Sequence, residues 1–572
     1  ADGRDEANAS PTGSSAGRVA NNTITGSKIA NSCCREPITV RSLRVSWPQR
    51  SATHHTENSF TEVDPPATHA DGDVKDELGS VPTDGYTVGE RIHMLNLMPM
   101  HVPRRGGLSR RDALRLGTLG SLGLGLPPAV LEAAPAVDAT RHPATAKRCI
   151  YIFLCGGPSQ LDMWDPKPEA PDHIRGQFGD ISTSVPGTRF GALLPHVSRH
   201  ADKLALIRSM NVGTQSHDTG IFRTLLASRL GTQRNKPYPV SPDDHPAIGA
   251  ILHRLLGESG ALPPWVVVPR HFTTGPRFYK GQRAGFLGPR YEPLSLGTEK
   301  KDSLERSAFT LKNLELHGEQ MTIERLEARR SLVERVGPQR VNLEGAVLSY
   351  QQQYEKALEM LTSRAFREAF DVTREAMPLR ERYGMNEYGQ SFLLARRLIE
   401  RDVRMVNVFW TYYGSDGCQF NLWDNHGAEK KTKVCGGTNR GKEMLSNKNC
   451  LPSFDAAFST LLSDLDQRGL LEDTLVTVIG EFGRTPTINK FTGRDHWGAC
   501  YSAVLAGGGV QGGQIYGASD PLAAYVHDLP VSVYDFQATI LHAFGLKPEA
   551  AVPDETGRPV RISDGQPVLE LF

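Results

Sequence analysis

The chain has 572 residues, with 65 Lys+Arg against 64 Asp+Glu and a formal charge of +1. That balance excludes a protein that grips nucleic acid or an anionic membrane through a strong basic surface. Hydrophobic residues make up 39%, enough for a sizeable soluble core. The eight cysteines contain no CxxC pair, which argues against a structural zinc site of the usual spacing.

Residues 1–93 hold long stretches rich in Ser, Thr, Asn, Asp and Gly, with few apolar runs. Such a segment buries too little apolar surface to offset its ordering entropy. The character changes at Met94, Met98 and Met100, and we expect translation to start at one of them, with 1–100 a disordered leader. Ser109-Arg110-Arg111-Asp112-Ala113-Leu114-Arg115 then matches the start of a twin-arginine export motif. The Gly- and Leu-rich stretch Leu116 to Leu131 follows, too short and too glycine-rich for a stable membrane span. Ala134-Pro135-Ala136 supplies a small-residue cleavage pattern. An amphipathic surface helix is the rival reading, but it leaves the order of basic pair, apolar stretch and A-x-A unexplained. Residues 101–136 are therefore expected to be a signal read by the twin-arginine translocation machinery, placing the protein in the periplasm or outside the cell.

The working part is expected over 145–572. Cys149 to Leu154 is a short apolar run ending at Gly156-Gly157-Pro158, the pattern of a buried strand running into a loop. Leu204 to Ile207 and Trp265 to Val268 are further strands, with helices predicted over Asp218 to Leu230 and Pro246 to Leu256. Residues 301–375 read as two long helices broken near Gly337-Pro338, a helical insertion rather than a domain. The helix Gln390 to Arg401 leads into the strand Val403 to Trp410. Then come the helix Asp455 to Arg468, the strands Thr474 to Ile479 and Ala503 to Ala506, and the helix Tyr534 to Phe544. Strands alternating with helices predict an α/β fold, a doubly wound, mostly parallel sheet with helices on both faces. Ligands of such sheets sit outside the carboxyl ends of the strands. Cys418, Cys435 and Cys450 share one loop-like stretch, where an oxidising compartment would allow a disulfide.

Polar clusters fall just after several of these strands. They are Gly156 to Asp165 with Asp162, Ser216-His217-Asp218, Trp423-Asp424-Asn425-His426-Gly427, and Glu481-Phe482-Gly483-Arg484 followed by Asp495-His496. Carboxylates mixed with imidazoles suit zinc, manganese or another divalent ion. An arginine such as Arg484 can clamp a tetrahedral anion with two parallel hydrogen bonds. Each feature also has a plain structural use. Ser216 stands where a helix takes its cap, and Asp-x-His is commonly a loop hydrogen-bond motif.

From about Cys149 to Phe572 the chain resembles the DUF1501 family, a sulfatase-like group of the alkaline-phosphatase-like superfamily. The resemblance rests on Gly156 to Pro166, Trp-Asp-x-His-Gly at 423–427, Gly480-Glu-Phe-Gly-Arg-Thr-Pro486, Gly493-Arg-Asp-His-Trp-Gly498, the glycine-rich run 506–517 and the closing Glu570-Leu-Phe572. It implies a doubly wound sheet and, by analogy with the superfamily, a two-metal ester-hydrolase site. The pattern departs from the superfamily in three places. Between Cys149 and Phe572 no Cys or Ser precedes x-Pro-x-Arg; Cys155 stands where the first strand usually ends in a metal-binding Asp; and Glu481-Phe482 replaces a later Asp-His.

Clusters and resemblance together give an expected function: an exported metal-dependent hydrolase of sulfate or phosphate esters, its substrate a small-molecule or glycan ester. Asp162, Asp424, His426, Glu481, Asp495 and His496 are expected to hold a divalent metal, zinc, manganese or calcium. Ser216 or water would attack, and His217 and Arg484 would contact the anion. The alternative is a non-catalytic protein on the same fold that binds a glycan or a surface polymer.

Overall fold

A computed structural model describes residues 141–572, apart from 230–235, 275–276, 297–306, 310–327, 329–330, 332–362, 414–418, 421 and 432–437. All described residues belong to one compact unit, Leu122–Phe572. The leader, the twin-arginine segment and most of the 301–375 insertion lie outside them.

The first strand, β1, is Arg148–Leu154, and its six residues after Arg148 are buried. An apolar run this continuous is what a strand needs when both faces of its sheet are covered. Its side chains alternate as a strand requires. Ile150, Ile152 and Leu154 join one core cluster, while Cys149, Tyr151 and Phe153 join the other. The remaining strands of the sheet are β2 (Leu204–Asn211), β3 (Trp265–Val268), β4 (Leu294–Ser295), β5 (Met405–Trp410) and β6 (Thr474–Ile479). They are followed by β7 (Tyr501–Ala506), β8 (Ile515–Tyr516) and β9 (Val531–Ser532).

Across the sheet the order is β8-β2-β7-β6-β1-β5-β3-β4, with β9 also on β2. β1 pairs in parallel with both β5 and β6. Only β7 runs against its neighbours, antiparallel to β6 and to β2. The expected doubly wound, mostly parallel α/β fold is therefore present. The reversal of β7 matters for function: it brings the entry of this strand, rather than its exit, to the edge where the other strands end.

Helices cover both faces. His217–Leu225 (α1), Ile248–Leu256 (α2) and Val533–Ala543 (α5) contribute to the cluster on the Tyr151 side. Glu387–Ile399 (α3) and Leu451–Gln467 (α4) pack on the Ile152 side. Their ends follow ordinary capping chemistry. Asn386 accepts from Gly389 N–H at the start of α3, and Ser532 and Asp535 form a reciprocal capping box at the start of α5. On the buried side of α3, Arg396 makes ion pairs to Asp464 at 2.9 Å, Glu375 at 3.0 Å and Glu400 at 2.6 Å.

Of the three cysteines expected to share a loop, Cys418 and Cys435 lie outside the described residues. The buried Cys450 donates its S–H to Leu422 O at 3.6 Å. Among the described residues no helix is long and apolar enough to cross a membrane.

Candidate metal centre

Five segments meet at the carboxyl edge of the sheet. β1 ends into Gly156-Gly157, β2 runs on into the turn before α1, and β6 ends into Gly480-Glu481. The loop after β5 carries Asp424 and His426, and the approach to β7 is a short hairpin, Gly483–Arg484 paired with His496–Trp497. Gly156 shows why the segments can close so tightly. Its φ is +125°, which side chains disfavour, and a Cβ there would lie 2.4 Å from the backbone nitrogen of Asp424.

Asp424 is the hub. His217 Nε2 lies 3.2 Å from its Oδ2, His426 Nε2 3.3 Å from the same oxygen, and His496 Nε2 3.1 Å from its Oδ1. Arg484 donates to Oδ1 at 2.7 Å. Burial works against charge on Asp424, but the Arg484 guanidinium and the hydrogen bonds from the three imidazoles hold its carboxyl well below the usual carboxylate range. Ligand atoms of His217, Asp424 and His496 lie within 4.8 Å of one another, a group able to hold one ion.

The far nitrogens of two rings are equally informative. His217 Nδ1 meets Glu481 Oε1 at 2.8 Å, and His496 Nδ1 meets the carbonyl of Gln215 at 3.0 Å. Glu481 is completely buried and also accepts from Gly156 N–H at 2.8 Å. Both rings thus face an acceptor at each nitrogen. A neutral imidazole satisfies only one such contact, because its other nitrogen carries a lone pair. At His217 either the ring is doubly protonated, or a cation takes the place of the proton between Nε2 and Asp424. Without that cation the arrangement favours the proton. Burial opposes charge on His217, yet its hydrogen bonds to Asp424 and Glu481 push its pKa up to about 9. His426 is also raised, by its hydrogen bond to Asp424.

The donor set fits a metal. Two imidazoles and one carboxylate are the ligand types zinc and similar borderline ions take, with Nδ1–H anchored to a carboxylate or carbonyl as such sites require. Calcium, which prefers an all-oxygen shell, fits poorly. The described residues bring together one three-ligand group rather than two. His426, with 40% of its side chain exposed, stands at the rim as a further donor.

The remaining candidates are placed elsewhere. Asp162 stays out of the cluster: Arg494 holds it at 2.8 Å, Ser159 donates to it at 2.6 Å and Gln177 N–H at 3.0 Å. Asp495 is exposed and accepts from Asn489 Nδ2 at 2.8 Å. Glu481 faces the outer nitrogen of His217 rather than the centre of the cluster. Arg484, expected as an anion clamp, is buried and donates to the carbonyls of Gly156, Gly157, Trp423 and Arg494 as well as to Asp424. Its fork fastens the Asp424 loop to the end of β1. Ser216 is exposed at the N-cap of α1, and its hydroxyl makes no capping bond. His217, expected to touch the anion, instead converges with Asp424 and His496 in the group able to hold one ion. The signal for that role is its place in a polar cluster just after a strand, the same signal that picks out Asp424. Cys155, at the end of β1, is buried; desolvation, reinforced by Glu481, raises its thiol well above the ordinary value, which makes it inert.

The profile of one protein family, described as "Protein of unknown function (DUF1501)", matches residues 146–572. The chain belongs to the DUF1501 family. No curated protein matches the sequence. Solved structures similar to this DUF1501 chain include a phosphonate monoester hydrolase from Silicibacter pomeroyi, at 13% identity and a TM-score of 0.31, covering 73% of this chain and 75% of that one. Another is a protein of the alkaline phosphatase superfamily from Vibrio parahaemolyticus, at 12% identity and a TM-score of 0.31, covering 77% and 76%. The PsFucS1 sulfatase from Pseudoalteromonas sp. is similar at 11% identity and a TM-score of 0.30, covering 70% and 68%.

Proposed function

We propose that this protein is an exported, metal-dependent hydrolase of sulfate or phosphate esters. One observation carries the metal assignment: two imidazoles, each with its Nδ1 anchored on an acceptor, turn their Nε2 atoms onto a single half-buried carboxylate. His217, Asp424 and His496 would hold the ion, with His426 at the rim. When bound there, a divalent ion supplies Lewis acidity toward a sulfuryl or phosphoryl oxygen and lowers the pKa of an attacking water or hydroxyl.

The chain's own residues do the positioning. Glu481 and Gln215 O fix the tautomer and tilt of His217 and His496. Arg484 locks the Asp424 carboxylate against the end of β1, so its second oxygen stays turned toward His217 and His426. Ser216 precedes His217 and presents a hydroxyl without a capping partner, which makes it the side chain assigned to the attack. Within 146–572 no Cys or Ser stands before x-Pro-x-Arg, which favours a second reading, a non-catalytic glycan-binding protein on the same fold.

Export rests on the twin-arginine motif at Ser109 to Arg115, and a glycan or small-molecule ester met outside the cytoplasm is the substrate class. The test is a screen of aryl sulfates and aryl phosphates with zinc, manganese or calcium added to the metal-stripped protein. Turnover restored by zinc or manganese and lost in His496→Ala supports the hydrolase. Turnover that survives metal removal contradicts it, and no turnover with any probe favours the binding protein.

A further inference from the structure

An open groove of about 350 Å³ lies between the hairpin that carries His496 and the loop 520–525, lined among others by Pro486, Asp495, Trp497, Leu522 and Tyr525. Successive side chains of a strand point to opposite faces. His496 accordingly faces Asp424, while its neighbours Asp495 and Trp497 line the groove on the other side. The groove is separate from the metal centre and one strand away from it.

Two features mark it as built for a ligand. First, large apolar groups are held outward by a fixed loop. Tyr525 is 57% exposed and Leu522 40%. Asp520 accepts the backbone N–H groups of Leu522 at 3.0 Å, Ala524 at 2.8 Å and Tyr525 at 3.1 Å. Gln160 ties down Ala523 O at 3.1 Å. The Trp497 and Tyr525 rings meet edge-on, 5.6 Å between centroids. Second, most of the groove's donors are already committed. Trp497 Nε1–H donates to Ala524 O, Asn489 Nδ2 donates to His426 O and Asp495 Oδ1, and Thr485 Oγ1 donates to Thr487 O. Apart from the Tyr525 and Thr487 hydroxyls, what faces outward is an acceptor, the exposed Asp495 carboxylate.

That pairing of aromatic surface with an acceptor selects the ligand. A proline-rich peptide would bring a row of carbonyls that finds only two hydroxyls as donors, and an anionic sugar would meet the like charge of Asp495. A neutral pyranose has an apolar C–H face for the rings and hydroxyls that donate to a carboxylate. We propose that this groove binds a neutral pyranose unit of a carbohydrate, against Trp497 and Tyr525, with a hydroxyl donated to Asp495. It rests on the hydrolase reading only in naming the carbohydrate as part of the substrate; the binding itself needs no metal.

The experiment is calorimetric titration of the full chain with cellohexaose, mannohexaose, laminarihexaose and β-1,4-galactohexaose, with decaproline alongside, and metal content measured on the same samples. At least one hexaose should bind, and Tyr525→Ala and Asp495→Asn should each weaken it at least tenfold with metal content unchanged. Trp497→Ala should do the same; Tyr525→Ala, at an exposed position, keeps the test valid if the tryptophan variant fails to fold. No hexaose binding, binding indifferent to Tyr525→Ala and Asp495→Asn, or binding of decaproline alone would overturn the proposal. Hexaose binding by a protein that takes up neither zinc nor manganese when they are supplied would refute the hydrolase reading and leave this one standing.

Discussion

Asp162 and Asp424 each lie in a loop leaving the carboxyl edge of the sheet, and each makes an ion pair with an arginine, at 2.8 Å to Arg494 and 2.7 Å to Arg484. The difference is what surrounds the other oxygen lone pairs. Asp162 has 1% of its side chain exposed and spends its capacity on Arg494, Ser159 and a backbone N–H. Asp424 keeps 18% exposed and turns both oxygens to imidazole nitrogens. A buried carboxylate closed by a guanidinium and a hydroxyl is a structural tie. One ringed by imidazoles, themselves anchored from behind, is arranged to hold a cation.

The sharpest way to break this comparison is to remove each carboxylate. Asp424→Ala should abolish metal binding and, with it, turnover of any ester the wild type accepts, as read by metal analysis and the aryl ester screen. Asp162→Ala should leave the metal in place but strand Arg494 in the interior. Losing one partner of a buried pair costs about 3–5 kcal/mol, so the denaturation midpoint should fall sharply in urea. Stability loss without metal loss at position 162 is the signature of a tie.

A smaller effect is expected one step behind the ligands. Glu481→Gln keeps an acceptor near His217 Nδ1 but removes its charge, and should weaken metal binding by roughly 10–100-fold, measured by competition with a chelating dye. The mildest prediction concerns pH. Without metal His217 holds its second proton up to about 9, so an ion must displace that proton to bind. Apparent affinity should therefore climb as pH rises and level only above about 9, whereas an unperturbed histidine would level near neutrality.

How far the sequence foretold this depends on the length scale of the signal. Cys149 to Leu154 and Thr474 to Ile479 could be read as strands because both faces are buried and every residue is apolar or small. The two-residue strands could not, since Gly483–Arg484 and His496–Trp497 carry no periodicity of their own. Yet that hairpin is what aims His496 at Asp424. Asp424, His426 and His496 were legible as metal-type residues after strands. The separate fate of Asp162 was not, because its partner Arg494 lies 332 residues away and nothing local announces the pair. Arg484 misled for a related reason: an arginine in a loop after a strand suits an anion, and only the fold shows four carbonyls already filling its fork.

Metal content of purified, fully folded chain decides the central claim most directly, comparing wild type with Asp424→Ala and Asp162→Ala by mass spectrometry after loading with zinc or manganese. The account predicts about one ion per chain in wild type and in Asp162→Ala, and none in Asp424→Ala. Equal metal in wild type and Asp424→Ala, or loss only in Asp162→Ala, would contradict it.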